Sequence, residues 1–151
     1  MEQYSHNITW RTRLLIISVL LFSTHTYSLA QTLNSWINEI HYDNVGADAG
    51  EAIEVVVETG SVVGFDITKL KIELYNGSNG MVDKDPTLSL ENVRNDIPPF
   101  TIYSISLIGI ENGQPDGIAL SYDGTLIQFI SYEGSFTALD GTAAGKVSVD
   151  I

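Results

Sequence analysis

The segment INEIHYDNVGADAGEAIEV, residues 37–55, gathers Glu39, His41, Asp43, Asp48, Glu51 and Glu54 around a glycine-broken stretch. Carboxylates at this density around one imidazole allow two kinds of chemistry. An oxygen-rich loop can hold Ca²⁺, a hard cation that takes roughly six to eight oxygen ligands, and Asp43, Asn44, Asp48 and Glu51 would supply them. A histidine set between carboxylates, His41 beside Glu39 and Asp43, can instead serve as a general base.

Spacing counts against both. The alternating calcium template D-x-[DN]-x-[DN]-G is broken because Val45 and Ala47 occupy its alternate positions. No nucleophile or second base stands out to complete a catalytic set with His41. The histidine has no histidine or cysteine companion beyond residue 30, which leaves too few ligands for zinc. Nor is there a nucleophile elbow, since GSNG at 77–80 lacks its spacing. No helix is predicted for a phosphate-binding glycine loop to open. The favoured reading is strand, polar turn, strand, because Asp, Asn and Gly are the residues turns use. It expects no catalytic residue and no cofactor. It also expects Asp48→Asn and Glu51→Gln to leave stability almost unchanged.

The elements that would position these residues are strands. Beyond residue 31 the apolar positions recur at period two, the pattern of half-buried β-strands. SWINEIHY places Trp36, Ile40 and Tyr42 on one face and Ile37, Glu39 and His41 on the other. AIEVVVE opposes Ile53, Val55 and Val57 to Glu54, Val56 and Glu58. KLKIELYNG sets Leu70, Ile72 and Leu74 against Lys71, Glu73 and Tyr75, then stops at Asn76-Gly77. FTIYSISLIGI, DGIALSY, TLIQFISY and KVSVDI also read as strands, the last with Val147, Val149 and Ile151 facing inward. Pro98-Pro99 has no N–H to give a ladder and belongs to a loop or a strand's first residues. Asp123-Gly124 is a favoured two-residue hairpin turn. It would set Tyr122 opposite Thr125, Leu120 opposite Ile127 and Ile118 opposite Phe129. The predicted fold is an all-β antiparallel sandwich in one domain, residues 31–151.

The first thirty residues read differently. Arg11 and Arg13 precede the uncharged LLIISVLLFS, and Ser28 and Ala30 stand at the −3 and −1 positions before Gln31. That order describes a helical secretory signal, residues 1–30, with cleavage before Gln31. The apolar run is too short to cross roughly 30 Å of hydrocarbon as a helix, so no membrane span is expected after cleavage. The expected location is extracellular or in the cell envelope.

The mature part keeps five basic residues against 18 acids, a formal charge of −13. Such a field disfavours direct nucleic-acid binding, which is built on Lys and Arg neutralising phosphates. The absence of cysteine excludes thiol catalysis, disulfides and thiolate metal sites.

Three stretches carry a family likeness: INEIHYDNVGADAGEAIEV, IELYNGSNG, and ENGQPDGIALSYDGTLIQFISYEGSFTALDGTAAGKVSVDI. Together they resemble the bacterial lamin-tail-like domain over about residues 36–151. That module belongs to secreted and cell-surface proteins and often sits beside an extracellular nuclease of the endonuclease/exonuclease/phosphatase superfamily. The resemblance implies an immunoglobulin-like sandwich and an accessory, non-catalytic role in attachment or protein contact. The alternative it leaves is an N-terminal accessory fragment of a larger nuclease. Two departures stand out: Leu70-Lys71 replaces the family's usual Gly-Trp pair, and relatives run on through a further strand after Ile151. A missing final strand would leave an unpaired edge, a template for dimerisation.

Overall fold

The computed structural model describes residues 31–43, 49–86, 93–107, 109–113 and 115–151. Residues 1–30, the expected secretory signal, lie outside them, as do Asn44 and Asp48. Residues 31–151 form a compact unit in themselves. Its strands are β1 (Asn34–His41), β2 (Ala52–Glu58), β3 (Leu70–Asn76), β4 (Met81–Lys84), β5 (Val93–Ile97), β6 (Phe100–Ser106), β7 (Asp116–Tyr122), β8 (Thr125–Tyr132) and β9 (Val149–Asp150). They make a four-stranded sheet in the order β1-β2-β6-β5 and a five-stranded sheet in the order β4-β3-β7-β8-β9. Every pairing is antiparallel except β8 with β9. The all-β sandwich expected from the period-two pattern is what the chain forms.

The main core lies between the sheets. Ile53, Val55 and Val57 of β2 meet Leu70, Ile72, Leu74, Ile118, Leu120 and Ile130 of the five-stranded sheet. All of them are buried, and each such side chain contributes roughly 1.5–3 kcal/mol when removed from water.

Two bulges alter the register that strict alternation predicts. In β1, Ile37 faces Val55 but Glu39 faces Glu54, so Asn38 is the extra residue. Ile37 and Ile40 therefore both point into the core, and Trp36 lies on the opposite, outer face. The expected grouping of Trp36 with Ile40 and Tyr42 is corrected accordingly. In the β7–β8 hairpin the Asp123-Gly124 turn forms as predicted, with φ of 47° and 75°, and Tyr122 faces Thr125. Beyond Ser121 and Leu126 the register shifts, so that Leu120 faces Gln128 and Ile118 faces Ile130. The expected pairs Leu120–Ile127 and Ile118–Phe129 are not formed.

The reason is a second layer of burial. Phe129 turns to the outer face of the five-stranded sheet, where it packs with Tyr75, Ala119, Ala138 and Ala143. The segment after β8 folds over that face and brings Phe136 edge-on to Phe129, with ring centroids 5.4 Å apart. Phe136 rests on Gly117, where an added Cβ would come within 2.9 Å of its ring. A one-residue bulge lets β8 send Ile130 to one core and Phe129 to the other.

β4 and β5 were not legible as strands. MVDK is short and polar at a sheet edge, and VRNDI holds few residues with strand preference. The cis Pro98–Pro99 pair makes the turn between β5 and β6.

Candidate functional site

At one end of the sandwich the opening segment meets the stretch 107–116. His41 Nδ1 lies 3.0 Å from the Gly50 carbonyl oxygen, and Asp43 is exposed. Glu51 is not a turn residue on the surface. Its side chain is buried, and Oε2 accepts hydrogen bonds from the backbone N–H groups of Gly109 and Ile110. Its backbone carbonyl also accepts from Leu107 N at 2.9 Å. The reading of Glu51 as part of a polar turn is therefore corrected: this carboxylate ties two segments together, and its Oε1 is buried without a partner among the described residues. Among the described residues no group of three or more His, Asp or Glu side chains is placed to hold a metal. Asn44 and Asp48, the other calcium candidates, lie outside those residues.

The same end contains a polar cluster that sequence reading missed. Asn76 Nδ2 donates to Glu111 Oε2 at 2.8 Å, and the Tyr132 hydroxyl donates to the Glu111 carbonyl at 2.9 Å. Tyr42 stacks on Tyr132 with centroids 4.1 Å apart. Buried Asp116 accepts from Gly77 N at 3.0 Å through Oδ1, while Oδ2 has no partner among the described residues. Burial first, then the charges of Asp116 and its neighbours, push the Tyr132 phenol well above its ordinary value. The signal available in the sequence was only an Asp before Gly at a strand's start, a pattern that turns share.

On the outer face of the five-stranded sheet a second carboxylate is sunk beside β3. Glu73 Oε2 accepts from Thr142 N at 2.8 Å, from the Thr142 hydroxyl, and from the Tyr75 hydroxyl at 3.2 Å. Its Oε1 receives Lys71 Nζ at 2.8 Å. Burial pushes the Glu73 carboxyl up, but the Lys71 and Thr142 hydrogen bonds outweigh it and hold the group below the usual glutamate value. Tyr75 in turn accepts from Ala143 N at 3.1 Å, and Asp140 Oδ1 accepts from Val82 N at 2.8 Å. These bonds fasten the C-terminal segment onto the sheet. Beside them opens a polar groove of about 450 Å³ lined by Lys69, Lys71, Asp85, Ser121, Asp123 and Thr142. Both lysines are already matched there, Lys69 to Asp123 at 3.1 Å and Lys71 also to Asp85 at 3.0 Å. The groove is a neutralised polar surface with no free cation to attract an anion.

The last strand departs most from expectation. Val147, Val149 and Ile151 were expected to face the core; they are 64%, 65% and 73% exposed. Ser148 is buried instead, and Asp150, itself exposed, is held through its carboxylate. Ser148 N donates to the Phe136 carbonyl at 2.9 Å, Phe136 N donates to Ser148 Oγ at 3.0 Å, and Gly134 N donates to Asp150 Oδ1 at 2.9 Å. Specific hydrogen bonds to the crossing segment fix the facing of this strand, and they override the apolar alternation. The outcome is three exposed apolar side chains in and beside the two-residue edge strand β9.

Known protein families, curated proteins and solved structures offer no match to this chain. Its functional reading rests on its own geometry.

Proposed function

We propose that this chain is a secreted, non-catalytic module, lamin-tail-like and immunoglobulin-like in build, whose work is attachment through protein contact. The observation that carries this reading is the exposure of Val149 on the two-residue edge strand β9 together with Val147 and Ile151 beside it. Exposed apolar side chains aligned on a sheet edge favour pairing with another polypeptide. Covering each would contribute roughly 1.5–3 kcal/mol before the costs of association. The two-sheet architecture and the secretory pattern of residues 1–30 support the same reading. A formal charge of −13 on residues 31–151 argues against nucleic acid as the contact.

Hydrogen exchange on residues 31–151 tests it directly. At near-millimolar concentration, or with a bound partner, the amides of 147–151 exchange more slowly than at low micromolar concentration. The same preparation hydrolyses neither DNA nor small phosphodiesters. Metal-dependent hydrolysis lost in His41→Ala would overturn the non-catalytic reading.

A further inference from the structure

We infer that the outer face of the four-stranded sheet is a docking surface for a lysine- and arginine-bearing polypeptide segment. The register places Trp36, Val56 and Ile102 in one row across β1, β2 and β6, with Phe100 in the next row beside Glu58. The Trp36 and Phe100 rings meet edge to face, 5.7 Å apart at 71°. None of these four side chains belongs to the main core or to the smaller cluster under the C-terminal segment. Trp36, Phe100 and Ile102 are partly exposed around the buried Val56, an apolar patch of the aromatic composition found at the centres of protein interfaces.

Charge selects the occupant. Glu58 borders the patch on one side, and Glu54 and Glu39 border it on the other. Glu39 and Glu54 are directly opposed across the β1–β2 ladder, a like-charge pairing that costs stability. Asn34 Nδ2 donates to Glu58 Oε2 at 2.7 Å, and Asn38 Nδ2 donates to Glu54 Oε1 at 2.6 Å. These amides orient the carboxylates without neutralising them. Arg94 of β5 stands beside Ile102 at the end of the same row, one cation against three carboxylates, and the ion pairs at Lys69, Lys71 and Lys84 lie elsewhere. A partner bearing Lys or Arg beside apolar residues would balance the remaining excess of carboxylates and lay a cation over the Trp36 ring. A glycan would use the rings but leave the carboxylates uncompensated, and a second copy would bring more negative charge.

Trp36 is the sole tryptophan of residues 31–151, so its fluorescence reports on this face alone. The probe is a synthetic peptide of alternating lysine and valine, titrated into residues 31–151, with a glutamate–valine peptide and maltoheptaose as comparisons. Only the lysine peptide shifts Trp36 emission. The double variant Glu54→Gln/Glu58→Gln weakens it by about tenfold or more, the scale of losing close charge pairs. Asp85→Asn/Asp123→Asn removes the same charge elsewhere and changes binding by less than about twofold. The inference goes beyond the β9 contact: Val149→Asp/Ile151→Asp leaves the peptide's binding constant unchanged, so failure of one surface is distinguishable from failure of the other. It is overturned if Trp36 emission does not respond, if maltoheptaose binds instead, if both double variants weaken binding equally, or if the sheet face proves to bury itself in a homodimer.

Discussion

Gln128 reaches from β8 to β1 and accepts a hydrogen bond from Ile37 N at 2.8 Å. The bond joins the β1 bulge to the β8 bulge, one in each sheet. The register shift in β8 sets Gln128 opposite Leu120, and its side chain satisfies an amide next to the β1 bulge. Gln128→Ala leaves a part-buried N–H without its partner, a loss of roughly 1–3 kcal/mol. Urea unfolding reads it as a lower midpoint at unchanged slope. An unchanged midpoint would mean that the bulges stand independently.

These bulges also show where local pattern stops being informative. Strand bounds for β7 and β8 and the Asp123-Gly124 turn follow from alternation and turn chemistry alone. The shift that sends Phe129 outward depends on Phe136 and Ala138 arriving later in the chain, which no window around β8 contains. The same is true of Glu73, which reads as a solvent-facing strand residue until Thr142, 69 positions away, binds it. For β9 the alternation was present but pointed the wrong way, because hydrogen bonds through Ser148 and Asp150 outrank three exposed side chains.

The Glu73 clamp carries a pH signature. Its carboxyl titrates below the usual value in the folded state, so the unfolded chain takes up the proton first as pH falls. Stability from this group is complete above about pH 4.3 and is lost as pH drops through the folded value. Glu73→Ala removes the acceptor for Thr142 and Tyr75 at a cost of roughly 1–3 kcal/mol. Amides of 138–146 then exchange faster, and the acid dependence of the melting temperature flattens. A variant with wild-type acid dependence would contradict the assignment.

Glu51 offers a different balance. Glu51→Ala abandons the N–H groups of Gly109 and Ile110, again at roughly 1–3 kcal/mol. Millimolar calcium is expected to leave the melting temperature of the wild type nearly unchanged. A ligand at 100 times its dissociation constant would add about 2.7 kcal/mol. A rise of several degrees, absent in Asp48→Asn, would establish a calcium site in the opening segment.

Light scattering on residues 31–151 tests the contact role of β9 most directly. The wild type is expected to gain mass with concentration as Val147, Val149 and Ile151 are covered by a second copy. Val149→Asp/Ile151→Asp, whose positions are exposed in the folded chain, stays monomeric with an unchanged melting temperature. A wild type that remains monomeric up to near-millimolar concentration, indistinguishable from the double variant, would contradict the claim that this edge is a contact surface.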